Sequence, residues 1–194
     1  FKDLEKKYKG LSFTTIMNQG DYINIIIKSV LSSILLGALL AIIVLALFLK
    51  DIRPTIVVAF SIPFSVLFAI IIMYFTGINI NVMSLAGLCL GIGMLVDNSI
   101  VVMENIYRFR NEGMSASKAA VWGTAQVAGP ILASTITTIC VFLPMVYTSG
   151  MVSQLLMPFA FTISYALIAS LLVALTVVPT MGSVLLRKTR DVKQ

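Results

Sequence analysis

Five apolar runs, at about 29–49, 55–75, 82–106, 126–147 and 158–186, are separated by short polar segments. About twenty apolar residues in helical form cross a hydrocarbon core of ~30 Å. Backbone groups in lipid find no water, so runs of this kind fold as spanning helices. The expected fold is therefore all-α and integral to a membrane, with five transmembrane helices. Composition agrees: 59% of the 194 residues are hydrophobic and 11% charged, with a mean hydropathy of +1.02. Soluble domains carry about 25% charged residues.

The same composition excludes several functions. A pI near 9.5 could suggest nucleic acid, but such sites gather basic residues with aromatics on a soluble fold. Here the basic residues sit in clusters between apolar runs, so a lipid membrane is the expected partner and nucleic acid is not. The chain has no histidine, which removes His-based catalysis and His ligation of metal. Cys89 and Cys140 lie in apolar segments without metal spacing and read as small buried residues. No Gly-rich phosphate loop, Ser/His/Asp set or zinc spacing is visible, so neither an enzyme nor a cofactor is expected.

Taken in order, residues 1–28 are polar and mixed in charge, and read as the end of a soluble domain followed by a linker or interfacial helix. The start, Phe1-Lys2-Asp3, is neither a methionine nor a signal peptide and suggests a piece of a longer protein. Pro63, Pro130, Pro144 and Pro179 fall inside or near the ends of the runs, where lipid-embedded helices tolerate them. Residues 107–125 break the apolar pattern. Gly113 would stop a helix there, and Ser115 would cap a short interfacial one. Residues 187–194 form a polar tail.

Topology follows from the basic residues. Segment 50–53 carries Lys50 and Arg53, segment 107–125 carries Arg108, Arg110 and Lys118, and the tail carries four more. Segments 76–81 and 148–157 carry none. The positive-inside rule makes the first set cytoplasmic and places residues 1–28 outside. Large external domains translocate regardless of charge, so the lysines of 1–28 are compatible with that.

The third run holds the chemistry. Asp97 lies in its middle, and an intramembrane acid marks a functional site by default. On a helix, Asp97, Val101 and Glu104 share a stripe, and Asn98 and Asn105 share the neighbouring one. Such a polar face is expected to turn to the bundle interior. Gly87 and Gly91 form a small-xxx-small pair that lets another backbone approach. A carboxyl group moved between wet and dry surroundings changes its hold on a proton, so Asp97 could load a proton or cation at one exposure and release it at another. The alternative is a static interhelical contact. Glu104 is four residues before Arg108, the spacing of a helical salt bridge, and reads as structural. Asn98 and Ser99 are packing groups or supports for Asp97. Thr135 and Thr138, in the cluster 134–138, read first as hydroxyls bonded back to their own helix, and second as the lining of a wet proton path.

The segments Leu47-Phe48-Leu49-Lys50-Asp51-Ile52-Arg53 and Ile62-Pro63-Phe64-Ser65, the stretch Gly91-Ile92-Gly93-Met94-Leu95-Val96-Asp97-Asn98-Ser99-Ile100-Val101-Val102-Met103-Glu104-Asn105-Ile106-Tyr107-Arg108, and Val141-Phe142-Leu143-Pro144 together carry a family resemblance. The chain resembles the resistance–nodulation–division efflux pumps, most closely their hydrophobe/amphiphile branch. The resemblance implies helices two to six of the first half of a twelve-helix transporter. Its partners would be the second helix repeat, an external porter domain and two further copies in a homotrimer. Such pumps sit in the bacterial inner membrane and export amphiphilic small molecules in exchange for protons, which serve as the coupling ion in place of any cofactor. Asp97 aligns with the first of the family's proton-relay acids. Asn98 stands where many members have a second acid, and the family's partner lysine belongs to the other half. Two rivals remain at this stage: a non-transporting membrane scaffold, and a lipid, metal or protein-export member of the same superfamily.

Overall fold

In the computed structural model the described residues are 19–49 and 52–186. The expectations for residues 1–18, for the Lys50–Asp51 link and for the tail 187–194 lie outside them. Five helices follow one another: α1 Gln19–Leu49, α2 Ile52–Phe75, α3 Val82–Asn111, α4 Ala116–Val146 and α5 Met151–Leu185. No strand occurs among the described residues. Helices α2 to α5 are each long and apolar enough to cross a membrane, and α1 contains the apolar stretch Asn24–Gly37.

The turns are short and chemically specified. At the end of α2, Gly77 adopts φ +71°, and the amides of Ile78 and Gly77 bond to the carbonyls of Met73 and Tyr74. This is the 6→1 and 5→2 pair that closes a helix on a left-handed glycine. Gly113, at φ +95°, repeats it after α3, with Met114 N–H to Phe109 O and Gly113 N–H to Arg110 O. The start of α3 is fixed by a reciprocal cap: Ser84 N–H donates to Asn81 Oδ1, and Asn81 N–H donates to Ser84 Oγ, both at 2.8 Å.

Helices run past the apolar runs in several places. Residues 19–28 are helical, with Asp21 in the first turn of α1, where a negative charge suits the helix dipole. Segment 107–125 is not a separate interfacial helix. Its first part continues α3 to Asn111, and from Ala116 it opens α4, which runs unbroken to Val146. Ser115 does occupy the N-cap, through its carbonyl and without a side-chain bond. Pro158 lies inside α5 rather than at its start, because the helix begins at Met151. Proline marks a weaker boundary in a bundle than in water, since neighbouring groups serve the carbonyl it frees.

Helix α3 is the centre: it packs against all four others, most extensively α5. Its glycines make that possible. A Cβ on Gly87 would lie 2.7 Å from Phe159 O, and one on Gly91 would lie 2.7 Å from Ala166 Cβ. On the α4 side the small residue belongs to the partner, since a Cβ on Gly123 would lie 2.9 Å from Ile106 Cα. Arg110 closes the end of the bundle, donating from Nε to Leu186 O at 3.2 Å and from Nη1 to Met114 O at 2.8 Å. The α3–α4 turn therefore lies beside the end of α5, and Arg108, Arg110 and Lys118 share that end. The turns at 76–81 and 147–150 carry no charge.

The glycine contacts give a direct test. Gly91→Val should cost roughly 1–3 kcal/mol by forcing α3 from α5, and should lower the detergent melting temperature. Gly93→Ala, two residues on, meets nothing within 4 Å and should be neutral or stabilising by up to about 1 kcal/mol.

Candidate functional site

The two polar stripes of α3 separate. The amide stripe faces into the bundle: Asn105 is buried and Asn98 half-buried. The acid stripe, expected to turn inward too, faces out of the five-helix unit, with Asp97, Val101 and Glu104 all exposed. The division has a physical cause. An amide can both donate and accept, so it can be satisfied among helix carbonyls and hydroxyls, whereas a carboxylate only accepts.

Asp97 lines a cleft of about 520 Å³ bounded by residues of all five helices. The polar part of the wall comprises Ser33 of α1, Asn98 and Cys89 of α3, and Ser134, Thr135 and Thr138 of α4. Ile62, Ile92 and Leu167 supply apolar wall. Among the described residues, no donor or ion-pair partner reaches the Asp97 carboxylate.

Asn98 joins three helices. Its Nδ2 donates to Thr135 Oγ1 of α4 at 3.4 Å and to Ser170 Oγ of α5 at 3.3 Å. Thr135 is thus a buried acceptor for Asn98. Thr138 lines the cleft while its own hydroxyl proton goes to Ser134 O at 2.9 Å. Ser99 is fully buried, and its Oγ has no partner among the described residues.

Glu104 lies elsewhere. Seven residues on a helix are about 10.5 Å along its axis, and Glu104 lines a separate groove with Asn105 and Arg108. The expected Glu104–Arg108 pair does not form. Arg108 donates from Nη2 to Gln126 Oε1 at 2.9 Å and approaches Glu112 at 3.8 Å. The guanidinium is taken instead by Gln126 on α4 and by Glu112 at the opposite i,i+4 position. Asn105 completes this end, donating to Gly123 O at 2.7 Å and to Gln126 Oε1 at 3.1 Å. Cys140 is exposed rather than buried, and Cys89 is half-buried in the cleft wall. An apolar side chain on the outside of a membrane helix incurs no penalty from lipid, so apolar sequence context does not imply burial there.

Residues 3–194 match the AcrB/AcrD/AcrF family. The chain belongs to that family. It is 36% identical over 191 residues to the swarming motility protein SwrC of Bacillus subtilis, covering 97% of this chain and 18% of SwrC. It is 38% identical over 151 residues to the multidrug resistance protein MdtC of Escherichia coli, covering 78% of this chain and 15% of MdtC. The fold matches the crystal structure of a heavy-metal efflux pump with a TM-score of 0.77 and 33% identity, over 92% of this chain and 18% of that one. The chain thus spans less than a fifth of these relatives' length.

For this AcrB/AcrD/AcrF family member the structure adds residues that the sequence did not single out. Ser170, one of several hydroxyls on α5, is brought to Asn98 by parallel packing of α3 and α5. Ser33, Gly123 and Gln126 acquire roles only through contacts between helices. Asn98→Leu should weaken the bundle by roughly 1 kcal/mol, the usual scale for interhelical hydrogen bonds in membranes. Glu104→Gln should leave its thermal stability within about 0.5 kcal/mol of the parent, as surface changes do. Detergent melting curves of the two variants check both expectations.

Proposed function

We propose that this chain is the proton-coupling transmembrane portion of a proton-driven efflux pump of the hydrophobe/amphiphile kind, contributing helices two to six of its first half. One observation carries the reading: the acid of the central helix faces a cleft whose wall includes Asn98, Ser134, Thr135 and Thr138, and among the described residues no donor reaches its carboxylate. A carboxyl group so placed is open to exchange a proton with water that enters the cleft. Asp97 is the proton carrier. Asn98, Thr135 and Thr138 support it as polar groups of the same wall, and the relay on this helix runs through one acid because Asn98 does not titrate.

The rest of the assembly follows from the same reading. The open acid stripe is where the second helix repeat packs. Glu104 is a supporting polar group further along that stripe. The end bearing Arg108, Arg110 and Lys118 is cytoplasmic under the positive-inside rule. Residues 1–28 then lead in from an extracytoplasmic porter domain, and the whole works as a homotrimer in the bacterial inner membrane. Amphiphilic small molecules are the cargo, a reading supported by the similarity to the multidrug resistance protein MdtC.

The test uses the intact protein that contains this chain. Asp97→Asn should reduce drug efflux and the accompanying proton flux to the level of cells lacking the pump, at matched expression and with folding retained. Efflux that survives the substitution would make Asp97 a static contact and would favour the scaffold reading.

A further inference from the structure

Helices α4 and α5 leave a second groove between them, of about 480 Å³. Across it Ser117, Val121 and Ala125 of α4 face Leu175, Pro179 and Ser183 of α5. No residue of α3 lines it, so it lies apart from the acid stripe and the cleft of Asp97.

The groove is graded along its length. The two helices are antiparallel, so Ser117 and Ser183 stand together at the end that bears Arg108, Arg110 and Lys118. Val121, Ala125, Leu175 and Pro179 follow in the direction away from that end. From Ser117 to Ala125 the helix rises about 12 Å. Trp122, the single tryptophan of the chain, is exposed on α4 one turn beyond Lys118. Tryptophan rings settle at headgroup level in a membrane. The hydroxyl mouth of the groove therefore lies among headgroups, and its apolar part lies among acyl chains.

The mouth also offers donors and a positive charge. Arg108 is taken by Gln126 and Glu112, and Arg110 by the carbonyls of Leu186 and Met114. Lys118 is exposed on the rim beside Ser117. Among the described residues neither its ammonium group nor the Ser117 hydroxyl has a hydrogen-bond or ion-pair partner. On the α5 side, Ser183 Oγ donates to Thr180 O at 2.8 Å and keeps its lone pairs. Ammonium donates only, and a hydroxyl donates one proton. A phosphate, which only accepts, complements both Lys118 and Ser117.

We infer that the α4–α5 groove binds one phospholipid of net negative charge, with an acyl chain along Val121, Ala125 and Leu175 and its phosphate at Lys118 and Ser117. Basic pockets between membrane helices take headgroups of this kind. The volume falls within the roughly 300–1,000 Å³ of small-molecule sites. Lys118 selects by charge: a zwitterionic headgroup carries a cation of its own and gains less from the ammonium group. The site does not involve Asp97 and stands whether or not that acid carries a proton.

Photo-cross-linking in the intact protein that contains this chain tests the site. The probe is phosphatidylglycerol with a diazirine in one acyl chain, at low mole fraction in nanodiscs of phosphatidylcholine. Peptide mass spectrometry should place the cross-link within residues 121–125 or 175–179. A phosphatidylcholine probe with the same chain should label these stretches several-fold less. Lys118→Gln should bring the phosphatidylglycerol yield down to the phosphatidylcholine level. Ala125→Phe, which fills the groove from an exposed position, should lower both yields several-fold, and both variants should melt as the parent does. No cross-link in these stretches would mean that another segment or subunit covers the groove. Equal yields from the two probes in the parent would mean contact with bulk lipid only. Either result overturns the inference, as does a preference for phosphatidylglycerol that Lys118→Gln leaves intact. The comparison of the two probes in the parent decides the matter even where a variant fails to fold.

Discussion

The close approach of α3 and α5 at Gly87 and Gly91 sets the level of everything else. In lipid there is no hydrophobic drive between helices, so contact rests on packing and on interhelical hydrogen bonds. Glycine allows both here, because Phe159 and Ala166 come within a distance that any side chain on α3 would prevent. The two helices run in the same direction, and residues about 72 to 76 apart stay level along them, from Asn98 with Ser170 to Arg110 with Leu186. Asn98 then reaches α5 and α4 together. Asp97, one residue earlier and about 100° round the helix, points to the cleft instead.

Much of the architecture is legible in the sequence, for reasons that can be stated residue by residue. The apolar runs give the helices because lipid leaves a spanning backbone few other solutions. Gly113 gives its turn because a left-handed C′ residue favours glycine. Boundaries set by proline or by charge are less legible. Pro158 reads as the start of the fifth run and the polar stretch after Tyr107 as a break, yet α5 begins at Met151 and only residues 112–115 of that stretch lie outside helices, since Gln126 and Leu186 take the polar groups of Arg108 and Arg110. The site is legible in part. Asp97 stands out because ionisable residues are costly in a membrane. Ser170, Gly123 and Gln126 do not, because a serine, a glycine or a glutamine acquires meaning only from what another helix brings beside it. Arg108 illustrates the same point: local spacing offers Glu104, and the neighbouring helix offers something better.

The separation of the two stripes has a mechanical consequence. Asn98 and Asn105 do not titrate, so their bonds to α4 and α5 persist whichever charge Asp97 carries. The internal contacts of the unit at Gly87, Gly91 and Gly123 are steric and equally indifferent to charge. A change at Asp97 therefore alters the free energy of the cleft and of whatever packs on the open face, and leaves the α3–α4–α5 core unchanged. Packed helices of this kind move as bodies rather than deform continuously. The amide stripe thus makes α3, α4 and α5 one body, and the acid stripe leaves Asp97 outside the bonds that hold that body together.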